Sequence, residues 1–216
     1  MVKRPLELLV WDWNGTLVDD TRLCYEIAND MRQSRGLAPL QSMEHYKESF
    51  GFPVIDYYRR MGYTFLTESY EDVAREFVRL YAERVPGCSL QAGAKETIAA
   101  VHARGIRQVL LSATGQEKLL HEVALFGMTD CFERIIGMKD NLSRGKAEEA
   151  RLFFAEAGVS PEAVLMIGDT DHDWSIAKSL GCRCLLLIPG HQTEAQLRAL
   201  GAPLIQTLPE VLGYLE

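Results

Sequence analysis

The sequence has no apolar run approaching the roughly 18 residues of a membrane span, although 47% of its 216 residues are hydrophobic. A transmembrane anchor is therefore not expected. The amino-terminal stretch MVKRPLELLVWDW meets Glu7 too soon to form the apolar segment of a secretory signal, so a cytosolic (cytoplasmic) protein is the expectation. Basic clusters are missing as well. None is longer than Arg59-Arg60 and the formal net charge is -7, a balance on which no nucleic-acid surface is expected. Cysteine is sparse and odd in number. Cys24, Cys88, Cys131, Cys182 and Cys184 are scattered through apolar surroundings, which argues against a disulfide framework and for reduced, mostly buried thiols. Cys182 and Cys184 form a C-x-C pair, but no second cysteine or histidine pair at ligand spacing lies nearby, so zinc is not expected.

What is present is an alternation of short apolar runs with longer helical patterns. Candidate strands fall at 6–11, 107–112, 134–137, 163–167 and 183–188, and helical periodicity fills 116–126, 146–157 and 174–180. Gly127, Gly158 and Gly181 follow those helical stretches as stops. Such βαβ punctuation predicts an α/β fold with a doubly wound, Rossmann-like parallel sheet covered by helices. Residues 20–86 break the rhythm. TRLCYEIANDMRQSRG, DYYRRMG and SYEDVAREFVRLYAERV read as amphipathic helices with no buried strand among them. The economical division is a core of 1–19 and 87–216 with a helical cap of 20–86 inserted after the first strand, overhanging Asp12.

Asp12 sits in VWDWNGTLVDD, where the first apolar run gives way to Asn14-Gly15, a common turn dipeptide. Nucleophile, metal ligand and turn residue are all open readings of it. Ser112 ends the second strand in LLSATG, Lys146 begins the helix after the third, and Asp169 ends the fourth in MIGDTDHD. Carboxyl ends of strands converge at the switch point of an open α/β sheet, so carboxylates, a hydroxyl and an ammonium are expected to meet. That set suits phosphoryl chemistry. Asp12, Asp169 and Asp173 can hold Mg²⁺, a hard cation that takes oxygen ligands, and Asp12 can attack phosphorus. Ser112 and nearby amides can hydrogen-bond the phosphoryl oxygens while Lys146 adds a positive charge. Taken singly, each has a blander role as helix cap, solvated charge or acidic turn.

The ordered combination resembles the haloacid dehalogenase superfamily. Asp12-x-Asn14-Gly15-Thr16-Leu17-Val18-Asp19 is similar to its first motif, Ser112 to the second, Lys146 to the third, and Gly168-Asp169-x-x-x-Asp173 to the fourth. The resemblance covers the whole chain, the cap position included. It implies a nucleophilic Asp12, Mg²⁺ held by Asp12, Asp169, Asp173 and the backbone carbonyl of Asn14, and phosphate contacts from Thr16, Ser112, Ala113 and Lys146. In the cap, Phe50-Gly51-Phe52-Pro53 looks like the Gly-x-Pro element in the substrate loop of phosphoglycolate phosphatases, which makes Gly51 a substrate-binding candidate. Lys47 and Arg59 are candidates to meet an anionic substrate. The implied activity is hydrolysis of a small phosphorylated metabolite through an aspartyl-phosphate.

One position departs from that pattern. Where phosphatases of the family carry a second aspartate that protonates the leaving oxygen and activates water, this chain has Asn14, an amide that does not titrate. Several explanations compete. The leaving group is acidic enough to depart unprotonated, or another group supplies the proton, with His172, Asp19 and His45 as guesses. Alternatively, an original aspartate was replaced to slow turnover, or Asn14-Gly15 deamidates. A weakened phospho-ligand binder, a dehalogenase and a phosphonatase using Lys47 remain as other readings.

Overall fold

The run LLVW forms β1 (Leu8–Trp11), all four residues of which are buried, as a strand covered on both faces requires. The computed structural model describes residues 5–138 and 145–215. After β1 come β2 (Val18–Asp19), then helices α1 (Thr21–Ser34), α2 (Met43–Ser49), α3 (Val54–Arg60) and α4 (Tyr70–Arg84). The chain continues through β3 (Ser89–Leu90), α5 (Ala94–His102), β4 (Arg107–Gly115), α6 (Gln116–Leu125), β5 (Arg134–Met138) and α7 (Lys146–Ala157). It ends with β6 (Val164–Gly168), α8 (Asp171–Leu180), β7 (Arg183–Leu187), α9 (Glu194–Ala199) and β8 (Leu204–Ile205). Six strands form one sheet in the order β5-β4-β1-β6-β7-β8, with every pairing parallel. Winding runs outward from β1 through β4 to β5, then resumes on the other side with β6. The reversal therefore falls beside β1, where such sheets open a crevice at their carboxyl ends.

Side-chain alternation divides the core between the two faces of the sheet. Leu9, Trp11, Leu110 and Ile167 pack with Ile98 of α5 and Leu119 and Val123 of α6. Leu8, Val10, Val109 and Met166 pack on the other face with Phe153 and Phe154 of α7 and Ile176 of α8. Each such aliphatic or aromatic burial contributes about 1.5–3 kcal/mol. A third apolar cluster belongs to α1–α4 and is rich in tyrosine, with Tyr46, Tyr57, Tyr58 and Tyr63 around Ile27 and Met31. These helices thus carry a core of their own, as their amphipathic patterns imply.

The five strands expected from the sequence are present with small shifts at their ends, and Gly158 and Gly181 end α7 and α8 in the left-handed region. The two-residue strands β2, β3 and β8 and the short helices α2, α5 and α9 left too little periodicity to be seen beforehand. No helix among the described residues is long and apolar enough to cross a membrane. All five cysteines are free, with Cys24 and Cys184 buried and the others half-buried.

Trp13, two residues beyond β1, ties the strand end to α6. Its Nε1 donates to Glu122 Oε2 at 2.8 Å, and its ring meets Phe126 edge-on. Burial pushes the Glu122 carboxyl up to about 7. A raised carboxyl pKa means that the folded state binds a proton more tightly than the unfolded chain, so this group's contribution falls as pH rises from the unfolded value toward 7. Glu122→Gln keeps an acceptor for Trp13 and removes the titration. It is expected to flatten the stability profile between about pH 4.5 and 7 and to gain on the order of 1–3 kcal/mol above that window. Urea unfolding across pH checks this, and an unchanged pH slope would contradict it.

Candidate active site

Asp12 lies one residue past β1, Asp169 one residue past β6, and Asp173 in the first turn of α8. Their carboxylate oxygens lie within 4.8 Å of one another. Lys146, the first residue of α7, reaches between two of them, with Nζ 2.5 Å from Asp12 Oδ1 and 2.6 Å from Asp173 Oδ1. Asp169 is held from both sides, Oδ1 by the Thr16 hydroxyl at 2.9 Å and Oδ2 by the His191 amide at 2.7 Å. Gly15 lies so near that a Cβ there would stand 2.4 Å from Asp169 Oδ2, and its φ of +74° suits glycine in any case. Asp173 also accepts from the Thr170 hydroxyl and amide, closing a capping box on α8. The helix-start role of GDTDHD and its place in the carboxylate cluster are therefore the same geometry.

The buried Asp169 and Asp173 and the partly buried Asp12 face one ammonium, leaving surplus negative charge largely out of water. Burial raises Asp12 to about 7 and Asp169 to about 6, although Lys146 and His191 respectively pull them down. Asp173 ends up below the usual carboxylate range because Lys146 and the Thr170 bonds outweigh its burial. The same two carboxylates hold Lys146 protonated against its own burial. Such a cluster needs either a shared proton or a cation, and an all-oxygen donor set suits a hard divalent ion such as Mg²⁺.

Asn14 is the junction of a second network. Its Nδ2 donates to Asp20 Oδ2 at 2.9 Å and to the Tyr81 hydroxyl at 2.7 Å, and its Oδ1 accepts from Thr114 Oγ1 at 2.9 Å. Asp20 is fully buried and collects four partners. Beside Asn14 these are the Gly15 amide at 2.8 Å, the Tyr81 hydroxyl at 2.7 Å and His191 Nε2 at 3.2 Å. Burial alone would raise Asp20, but His191 and these hydrogen bonds hold it low, so it stays an acceptor. Opposite it, the buried His191 ring is drawn upward by Asp20. The Gly15 N–H, whose nitrogen would have to attack Asn14 for deamidation, is fixed on Asp20.

A cavity of about 540 Å³ opens over both networks, and its lining includes Asp12, Asn14, Ser112, Ala113, Lys146 and Asp169. Ser112 Oγ accepts from the Thr114 amide at 3.1 Å, where β4 departs from regular pairing with β5. The opposite wall comes from α3 and α4 and from the loop before α3. Phe50 stacks on His191 with centroids 4.9 Å apart, Phe52 stacks on His172 at 4.3 Å, and the Tyr46 hydroxyl lies 3.0 Å from His191 Nδ1. These contacts close the helical layer onto the sheet.

The structure brings together Asp12, Asn14, Ser112, Ala113, Lys146, Asp169 and Asp173. Two candidates sit differently. The Thr16 hydroxyl is spent on Asp169, and Gly51 lies behind the lining, where Phe50 and Phe52 take the wall. Of the guessed proton donors, His172 lines the cavity, whereas Asp19 is exposed on β2 and His45 lies outside the lining. Lys47 turns to the Pro189 carbonyl and Arg59 to Asp56, so neither faces the cavity. Sequence reading missed Asp20, Tyr81, Thr114, Glu122 and His191. Asp20 stood beside the first motif in VDD and Thr114 two residues past Ser112 in LLSATG, whereas Tyr81, Glu122 and His191 carried no local signal.

Residues 9–187 match the family model described as haloacid dehalogenase-like hydrolase. A phosphoglycolate phosphatase of Rhodobacter capsulatus is 24% identical over 192 residues, covering 85% of each chain. Another, from Nitrosococcus oceani, is 27% identical over 206 residues, covering 92% of this chain and 90% of its own. Among solved structures, a haloacid dehalogenase-like family hydrolase of Streptococcus pneumoniae superposes with a TM-score of 0.84 at 16% identity, covering 98% of this chain and 99% of its own.

Two outcomes follow from the networks. Lys146→Met, which leaves Asp12 and Asp173 buried without their ammonium, is expected to cost about 3–5 kcal/mol in metal-free urea unfolding, and a loss below 1 kcal/mol would contradict the clamp. Asn14→Asp sets two buried carboxylates against each other and is expected to cost about 1–3 kcal/mol at neutral pH. The Asn14→Asp/Asp20→Asn double variant exchanges donor and acceptor, and calorimetry should find most of that stability restored.

Proposed function

We propose that this chain, which belongs to the haloacid dehalogenase-like hydrolase family, is a Mg²⁺-dependent phosphatase of a small phosphorylated metabolite. The supporting observation is Asp12 at the cavity floor, clamped by Lys146 at 2.5 Å within the carboxylate cluster. In this reading residues 1–19 and 87–216 form the core and 20–86 the cap that encloses the substrate. A phosphate monoester substrate is supported by the relatives named phosphoglycolate phosphatase.

Asp12 is the nucleophile. Its carboxylate attacks phosphorus, the ester P–O bond breaks toward the leaving oxygen, and the phosphoryl group rests on Asp12 until water removes it. Lys146 orients that carboxylate through Oδ1 and balances its charge. Ser112 accepts from the Thr114 amide and so keeps its own proton for a phosphoryl oxygen, beside Ala113 in the same loop. Asp12, Asp169, Asp173 and the Asn14 carbonyl would hold Mg²⁺, which when bound offsets phosphate charge. Thr16 and the His191 amide position Asp169 for that role. Asn14 has no proton to give or take at the leaving oxygen, and its amide instead fixes Asp20 and Tyr81.

Phosphate release from 4-nitrophenyl phosphate should require Mg²⁺, stop with chelator, and fall to background in Asp12→Asn. Mg²⁺ at about a hundred times its Kd should stabilise the fold by roughly 3 kcal/mol, an effect that Asp169→Asn should largely remove. In the Asn14→Asp/Asp20→Asn variant a titratable group returns to position 14, and alkyl phosphate turnover should rise by about 10²-fold or more. Chelator-insensitive release, or none with any ester, would refute the reading; tight Mg²⁺-dependent binding of phosphate without turnover would favour a phospho-ligand binder.

A further inference from the structure

Beyond its phosphate end the cavity is walled by rings. Tyr70, Ala74, Phe77, Val78, Tyr81 and Ala82 line it from α4, at spacings that put them on one helix face. Tyr57 and Tyr58 of α3 and Phe50 and Phe52 of the preceding loop complete the wall. Every Lys and Arg between 20 and 86 is engaged elsewhere. Arg35 is paired with Glu68 and Glu76, Arg84 with Asp30, and Arg60 with the Ser49 carbonyl. Arg32 donates to the Ala38 and Met61 carbonyls and Lys47 to that of Pro189. Arg22, Arg59, Arg75 and Arg79 pair along their own helices. None of them is among the lining residues.

Away from the Lys146 clamp, Lys118 is the one Lys or Arg among the described lining residues, and it shares α6 with Glu122 four residues on, while His191 in the same lining is paired with Asp20. A substrate with a second anionic group would leave water for a wall of rings and a surplus of carboxylates, which is costly. An uncharged flat group would fill the space favourably.

Position 14 leads independently to the same chemistry. With an amide there, position 14 offers the leaving oxygen no proton, which favours a leaving group that departs as an anion, and a phenol of pKa roughly 10 tolerates this far better than an alcohol near the roughly 16 of water. We infer that this site, read as a phosphatase, takes aryl phosphate monoesters, with the aromatic group held between α3, α4 and the Phe50–Phe52 loop, rather than a short ester that bears a second anionic group, such as phosphoglycolate. Asp12 attacks phosphorus, the P–O bond to the ring oxygen breaks, and its electron pair leaves as phenolate, which takes a proton from solvent. Water then attacks the aspartyl-phosphate, the Asp12–P bond breaks, and both protons of that water stay on the phosphate released. This second step also lacks a base at position 14, so the phosphorylated enzyme accumulates.

The test compares phenyl phosphate with 2-phosphoglycolate in Mg²⁺, together with calorimetric binding of the non-hydrolysable benzylphosphonate and 3-phosphonopropionate. Expected are a kcat/KM at least about 100-fold higher for phenyl phosphate, a pre-steady-state burst of one phenol per enzyme, and benzylphosphonate binding at least about tenfold tighter. Val78→Arg, at a position already 40% exposed where a longer side chain has room, adds a cation to the wall and should narrow the kcat/KM ratio at least about tenfold. Equal or faster turnover of phosphoglycolate by the unaltered chain would overturn the inference and leave the phosphatase reading standing. No turnover of either ester, with benzylphosphonate still the tighter ligand, would overturn the phosphatase reading while supporting the aryl cavity; equal binding of the two phosphonates would overturn the aryl cavity.

Discussion

Surplus negative charge, buried at the reversal point of the sheet, is the constraint on which the rest of the site depends. Asp12, Asp169 and Asp173 converge there because β1 and β6 are adjacent and parallel, and α8 starts directly after β6. One ammonium, Lys146, cannot neutralise all three, and it is shared by Asp12 and Asp173 while further donors hold Asp169 and Asp173. Thr16 and His191 fix Asp169, Thr170 and Lys146 fix Asp173, and Gly15 lets the first loop press against Asp169. Buried carboxylates held this firmly are costly to fold around, as is common where a site must be preorganised for a charged ligand.

The amide at position 14 belongs to a second constraint. Asp20 is a fully buried carboxylate bonded to Asn14, Gly15, Tyr81 and His191, and a donor at position 14 completes that set. Tyr81 comes from α4 and His191 from the loop after β7, so the same hydrogen bonds that satisfy Asp20 join the helical layer to the sheet. An untitratable group at the cavity floor and a tie between the helical layer and the sheet are two results of one residue choice. The three explanations that sequence alone left side by side are narrowed accordingly. The fixed Gly15 amide opposes deamidation, and the fit of Asn14 to Asp20 suits a natural amide.

Much of this was legible in the sequence because it rests on short-range pattern. Buried parallel strands write continuous apolar runs such as LLVW and VLMIG, and the chemical residues stand at their ends. Asp12, Ser112, Lys146, Asp169 and Asp173 could be placed from that alone. The aromatic wall and the Asp20 network could not, because they depend on how α3 and α4 lie over the sheet. Tyr81 meets Asp20 across 61 positions and His191 meets it across 171, and neither has a motif of its own. Gly51 was drawn to notice by its motif, yet its neighbours Phe50 and Phe52 present the surface.

The central claim is that Asp12 carries the phosphoryl group. The most direct test is acid quench during turnover of phenyl phosphate in Mg²⁺, followed by peptide mass mapping, with the Asp12→Asn variant as control. The account predicts a phosphoryl adduct confined to the peptide bearing Asp12 and absent from the variant. An unmodified Asp12 peptide during active turnover, or an adduct elsewhere, would contradict it.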